Sequence, residues 1–424
     1  MKKVLIITPH FPPSNLAAVH RSRLFAQHLP SFGWEPIILA VHEDYYEEAL
    51  DPNLKNLLPP NLRVEKVKAF KVTRPRIIGD IGIRGFFQLK KRAKQLILQE
   101  KFDFLYIPIP SFYVALLGRW LHRSTGIPYG IDYIDPWVHK FPGSDKVFSR
   151  HWFSSKIAGI LEPLAVKKAS LITGVGEGYY KAVLDRNPHL LKKAVMGAMP
   201  YGGEKTDHEK VRHLDIKPYL FKKIPGKIQL VYAGAMLPKA YGPLESIFKS
   251  IQKIKVAFKN IQIHFIGTGK TPNDINGYNI RPLAEKYDLW NDIIFEYPTR
   301  IPYLDTLIHL DTADGIFILG STEPHYTPSK TYQGVLSGKP ILAILHKDST
   351  AVKVLQDSKA GLVLTFDGEK DLERIESSFP KIMTEFIAWI KIYDPAGIRQ
   401  DIFEQYSAYY VTKKLAGLMD KAIK

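Results

Sequence analysis

Two lysines, each placed just after glycine or proline punctuation, mark where this chain could hold an anion. Thr327-Pro328-Ser329-Lys330-Thr331-Tyr332-Gln333-Gly334-Val335-Leu336-Ser337-Gly338-Lys339-Pro340 reads as a short helix with its own start and stop signals. Thr327 can cap the N-terminus and Pro328 suits the first turn. Gly338 suits the left-handed C-terminal position, and Pro340 ends the helix. The first-turn amides of Ser329 and Lys330 then point out of the helix start, where an anion is favoured. The Lys330 ammonium adds a mobile charge beside them, and Gln333, one turn on, could reach a hydroxyl. A second lysine, Lys239, follows the apolar run 228–233 and Gly234, a glycine that lets a ligand approach the backbone. Gly267-Thr268-Gly269-Lys270 follows another apolar run, 261–266, but lacks the third glycine of a dinucleotide fingerprint. No Asp-x-Asp pair occurs. Phosphate charge would therefore be met by Lys239, Lys330 and the helix start, and no metal site is expected.

These residues need strands and helices to hold them. Apolar runs at 4–8, 36–41, 102–107, 129–134 and 171–175 read as strands of a first series, with helical periodicity over 17–29 between the first two. A second series runs 228–233, 261–266, 293–297, 315–319, 341–345 and 361–366, with helices over 243–256 and 351–358. Strands alternating with helices imply α/β domains with parallel sheets. At 424 residues two domains are expected. Pro200-Tyr201-Gly202-Gly203-Glu204-Lys205-Thr206-Asp207 is polar and turn-rich, and is read as the linker. The expected domains are 1–203, joined by a C-terminal helix over 398–424, and 204–397. Two such domains in tandem place ligands at the carboxyl ends of the sheets, across a cleft.

Composition narrows the partners. Zero cysteines exclude disulfides, thiol catalysis and cysteine-ligated metal. Met1-Lys2-Lys3 leads into a short apolar run ended by Pro9-His10, so no leader peptide is expected. No apolar run reaches the length of a membrane span, and the simplest location is the cytoplasm. The net charge of +17 is uneven: residues 1–200 hold 29 basic and 16 acidic residues, and 63–101 alone hold 12 and 3. A solvated face and an anion-seeking face both fit that pattern. Within it, 84–98 reads as a basic amphipathic helix of the kind that lies on membranes or covers a sheet. Arg84, Phe86, Phe87, Lys90, Lys91, Arg92 and Lys94 are its candidate acceptor or membrane contacts, peripheral on the inner membrane face. No nucleic-acid module is recognisable, so nucleic acid is not an expected partner.

The ordered blocks of the second series resemble the donor half of retaining glycosyltransferases with the two-domain GT-B fold, of the family-4 type (glycosyl transferases group 1). Pro328-Ser329-Lys330, Gln333 and Gly338-Lys339-Pro340 resemble the family's donor helix. In the family a Glu stands at the position of Gln333 and holds the ribose, and an acidic residue stands where this chain has His325. The turn from Gly234 to Lys239 resembles one whose lysine binds the diphosphate and stabilises the leaving group, although Ala235 replaces a frequent arginine. Gly267 and Gly269 resemble the turn facing the nucleotide, Arg300 and Ile301 the base-contacting loop, and Ala313-Asp314 the strand before the donor helix. The N-terminal half matches more loosely. Asp135 stands where relatives carry a polar pair near the sugar, with Ile134 in place of the His or Arg.

The resemblance implies two Rossmann-like domains facing a cleft, with a C-terminal helix crossing back to the first domain. It implies a hexosyl transfer with retention from a UDP- or GDP-sugar, used as substrate with no cofactor, to a glycan or lipid-linked acceptor in cell-surface polysaccharide synthesis. Asp135 and Lys239 would be the catalytic candidates. Gly234, Lys239, Gly267, Gly269, Arg300, Ile301, Ser329, Lys330 and Gln333 would bind the donor. A nucleotide-sugar epimerase of the same fold and a non-catalytic nucleotide-sugar-binding protein are the alternatives.

Overall fold

Aliphatic and β-branched runs become the strands of two wholly parallel sheets. The structure is a computed structural model that describes residues 1–73, 78–138, 146–214, 216–271 and 273–424. The chain divides into two units, Met1–Tyr201 with Ala408–Lys424, and Gly202–Ser407.

In the first unit the elements follow in the order β1 (Lys2–Ile7), α1 (Ala17–His28), β2 (Trp34–Val41), β3 (Arg63–Val67), α2 (Phe86–Gln99), β4 (Phe104–Ile109), α3 (Ala115–Thr125), β5 (Tyr129–Tyr133), α4 (Arg150–Val166), β6 (Leu171–Gly174) and β7 (Val195–Ala198). The sheet order is β3-β2-β1-β4-β5-β6-β7, all parallel. Chain direction across the sheet reverses between β1 and β4. One face is covered by α2, α3 and α4 through Leu89, Ala93, Leu117 and Ala158. The other is covered by α1 and by a C-terminal helix through Phe25, Leu415 and Met419. With both faces covered, β1 and β4 read as unbroken apolar runs, as buried parallel strands do. The sequence reading missed β3 and β7. Both are short strands at the sheet edges and only partly buried; β3 mixes charged and apolar residues, and the apolar stretch 194–199 around β7 is broken by Gly197.

The second unit holds α5 (Lys205–Arg212), β8 (Ile228–Ala233), β9 (Ile261–Ile266), α6 (Arg281–Lys286), β10 (Ile294–Tyr297), α7 (Tyr303–Thr312), β11 (Gly315–Leu319), α8 (Lys330–Leu336), β12 (Ile341–His346) and β13 (Gly361–Phe366). Its sheet runs β10-β9-β8-β11-β12-β13, again parallel, with the reversal between β8 and β11.

The expected single helix over 398–424 is broken. Ser407 is extended, at φ −69° and ψ 152°, and pairs with Gly203. Gly203 N–H donates to the Tyr406 carbonyl at 3.0 Å. Helix α9 (Ala408–Ala422) then begins, in the first unit.

Candidate functional site

The strongest polar geometry lies in the second unit, at the carboxyl ends of β8 and β11, where the strand order reverses. A crevice forms at such a point in open α/β sheets. Gly234 leaves β8 at φ +138°, a conformation that side chains rarely adopt. A Cβ there would collide with the Lys330 ammonium and stand 2.7 Å from its Cε. Gly234 is therefore the surface on which the lysine lies. Burial, and then the nearby charge of Arg300, push the Lys330 amine down to about 8. Among the described residues no carboxylate is paired with it. A half-buried ammonium held beside a second cation is a site that an anion would relieve.

Arg300 follows β10. Its Cα lies 3.7 Å from where a Cβ on Gly267 would stand. Gly267, at φ +72°, donates to the Tyr297 carbonyl at 2.8 Å. Gly269 donates to the Pro298 carbonyl, and a Cβ there would sit 2.6 Å from that oxygen. The turn is fixed by a residue that the sequence did not flag. Buried Glu296 accepts from Thr268 Oγ1 and from the N–H groups of Asn279, Ile280 and Arg281, at 2.8–3.0 Å. One carboxylate thus ties the glycine turn to the start of α6. Ile301 is half-buried between Arg300 and the start of α7.

The remaining donor candidates divide. Ser329, half-buried, precedes α8 with helical backbone angles. The expected cap is not made: Thr327 Oγ1 lies 2.7 Å from Thr350 Oγ1, and no side chain caps α8. The helix end is as expected, with Gly338 at φ +67°. Lys239 does not act on Lys330. Its ammonium is 3.5 Å from Glu323, and its carbonyl accepts from Thr322 N–H, which ties the loops after β8 and β11 together. Gln333 is engaged by His208 of α5, Oε1 to Nε2 at 2.9 Å. His208 is buried and its Nδ1 lies 3.7 Å from Asp311 of α7. That histidine, 125 residues away in sequence, was not legible as a partner.

In the first unit Asp135 is exposed, just beyond buried Ile134. The buried acid of this strand is Asp132, which takes Arg21 Nε at 2.6 Å and its second nitrogen at 3.0 Å, and Thr173 Oγ1 at 2.8 Å. Arg21 also donates to the Pro200 carbonyl at 2.8 Å, tying α1 to the end of the unit.

The expected basic surface needs a correction. Arg84 is buried and cannot face a membrane: Gly85 breaks the chain into a one-turn helix and α2, and Arg84 points inward to donate to the Phe70 and Tyr45 carbonyls, each at 3.0 Å. Arg92 is held by Glu65 at 2.7 Å, and Phe86 packs edge-on to Trp120. Phe87, Lys91 and Lys94 are exposed, and Lys90 Nζ stands 3.9 Å over the Trp120 ring. Arg74 and Arg76 of the basic stretch lie outside the described residues.

Solved structures resemble the chain over its whole length. Sucrose-phosphate synthase from Thermosynechococcus elongatus aligns with a TM-score of 0.66 at 13% identity, over 99% of each chain. UDP-forming α,α-trehalose-phosphate synthase from Burkholderia xenovorans aligns at 0.66 and 11%, over 100% of each. HepE from Anabaena, solved in complex with UDP, aligns at 0.61 and 13%, over 99% of this chain and 100% of that one. The fold is that of the GT-B glycosyltransferases. At these identities the likeness shows the fold alone. No protein-family model matches the chain, and no curated protein does. In GT-B terms the Lys330 site belongs to the C-terminal Rossmann-like domain. No helix among the described residues is long and apolar enough to cross a membrane.

Proposed function

We propose that the protein is a glycosyltransferase that takes its sugar from a nucleotide diphosphate donor bound by the second unit. The observation that carries this is Lys330, laid on Gly234 at the strand-order reversal and depressed to about 8 by burial and Arg300. A diphosphate would supply negative charge to this amine, which no carboxylate among the described residues meets. The structural likeness to HepE, solved with UDP-glucose, supports a uridine nucleotide as the first donor to test. In this reading Lys330 and Arg300 meet the phosphates and Lys239 assists the leaving group from the neighbouring loop. Gln333, steadied by His208, presents its amide to the ribose. Transfer with retention, an acceptor that is a glycan or lipid-linked glycan, and a role in cell-surface polysaccharide synthesis follow from the family resemblance. Asp135, exposed at the end of β5, remains the proposed sugar-side group. Peripheral attachment to an anionic membrane is part of the same reading, because the first unit carries most of the positive charge. The epimerase alternative needs free carboxylates around the sugar, but Glu296 is bound by backbone amides and Glu323 faces Lys239.

Titration calorimetry with UDP, GDP and ADP tests the donor site. One of them should bind, and should do so more weakly to Lys239→Ala and Lys330→Ala. Absence of binding by all three would overturn the proposal. Product analysis with the matching nucleotide sugars then separates transfer from epimerisation.

A further inference from the structure

Helix α4 carries its larger apolar residues on the side away from the sheet. Ala158, Glu162, Ala165 and Val166 are its buried positions. Phe153, Ile157, Ile160 and Leu164, spaced by four, three and four, share the opposite face and are exposed, Ile160 at 67%. At 100° per residue those four fall within an arc of about 60°. Such a helix is apolar on two opposite faces, and the outward one of a surface helix calls for a covering partner. Just before it Phe148, 78% exposed, sets its ring 5.8 Å from that of Trp152.

The neighbouring helices of the same face supply charge. A pocket of about 370 Å³ between α2 and α3 is lined by Lys90, Lys94, Trp120, Arg123 and Ser124, with no acidic residue among them. Arg119 of α3 reaches the Leu164 carbonyl at 3.1 Å, so the basic pocket and the apolar ridge belong to adjoining helices. Lys156 borders the ridge, with its ammonium 5.6 Å from the Trp152 ring. Apolar ridge, flanking aromatics and basic rim together match the interface of a bilayer bearing anionic headgroups. A helix of 17 residues, about 25 Å long, would lie in the plane of that interface rather than across it.

We propose that the outer face of α4 is the membrane-inserting element of the first unit, and that the Lys90–Lys94–Arg123 pocket receives lipid phosphate. This deepens the peripheral-membrane reading above, rests on it, and moves the point of insertion from α2 to α4. The test is co-sedimentation with vesicles of phosphatidylcholine, with and without phosphatidylglycerol, at low and high salt. Wild type should pellet only with phosphatidylglycerol present, and less at high salt. Ile157→Ser/Ile160→Ser should bind about tenfold or more weakly, and Lys90→Glu/Arg123→Glu about thirtyfold or more weakly. Ile157, Ile160 and Arg123 are exposed and Lys90 is half-buried, and thermal unfolding matching wild type would show that both variants fold. If wild type pellets but the isoleucine variant pellets equally well, the assignment of α4 is overturned while the membrane reading stands. If wild type pellets with neither vesicle, both fall. Dimers that sedimentation velocity finds in wild type and not in Ile157→Ser/Ile160→Ser would overturn the proposal in favour of a second copy as the cover.

Discussion

Replacing Lys330 by methionine should move stability and binding in opposite directions. The amine sits at about 8 in the folded protein against an ordinary 10.5. At about 1.4 kcal/mol per unit, keeping it charged costs the unliganded fold about 3 kcal/mol. The folded value lies below the unfolded one, so the cost is fully present below about pH 8. It is relieved as pH rises from there towards 10.5. Lys330→Met removes the cost, keeps the length of the stem and leaves the contact with Gly234. The unliganded variant should therefore melt at or above the wild-type temperature at neutral pH. Diphosphate binding should weaken by about 1.5–3 kcal/mol, the worth of a charge-assisted contact. Wild type should also carry a pH signature. If the bound phosphates restore the amine to its ordinary value, affinity falls about tenfold between pH 7 and pH 9 as the free enzyme loses the proton. The variant should lack this fall. Calorimetry at several pH values, with melting followed by circular dichroism, measures all three quantities. Undiminished affinity in Lys330→Met, or a wild-type affinity flat from pH 7 to 9, would refute the reasoning.

Gly234→Ala should weaken diphosphate binding about tenfold or more and lower stability by about 1–3 kcal/mol, because a Cβ at φ +138° meets Lys330; calorimetry and melting report both. Gln333→Glu should bind nucleoside diphosphate as well as wild type or better, since a carboxylate accepts more strongly from hydroxyls and His208 stands 2.9 Å away to meet its charge; loss of binding in a folded variant would mean the helix does not face the ribose. Asp132→Asn should destabilise by about 3–5 kcal/mol in a denaturant titration, because it leaves the fully buried Arg21 guanidinium without its charge partner.

The sequence made the core strands and the glycine turns legible because each depends on local signals. Unbroken apolar runs reveal buried parallel strands, and Gly234, Gly267 and Gly338 all take the positive φ that their turns require. Edge strand β3 carries no such run, since one side of it is open, and the apolar stretch around edge strand β7 is short and broken by Gly197. Partnerships across long sequence distances were invisible: Arg21 with Asp132, His208 with Gln333, and the three backbone amides on Glu296. Arg84 misled because a basic residue in a basic stretch looks like surface, whereas the Phe70 and Tyr45 carbonyls, with Glu47 3.6 Å away, took its charge inside. The ridge on α4 was legible in principle. Its four, three, four spacing is plain in the sequence, but periodicity alone does not say which side of a helix that is apolar on two faces meets the sheet.

The break at Ser407 has a consequence for how the chain can be made and cut. The first sheet's inner face around Phe25 and Trp34 is closed by Leu415 and Met419, and Asp420 accepts from the Trp34 indole at 3.2 Å. A ribosome that has finished residues 1–201 has thus released a half whose lid is still some two hundred residues away. During that interval the second unit, continuous from Gly202 to Ser407, can complete its own sheet while the first waits with an apolar face uncovered. The unit begun first is therefore the one finished last. Nicking or shortening the C-terminal tail should harm the half of the protein that lies farthest from it in sequence, and the piece suited to separate expression is the interior one.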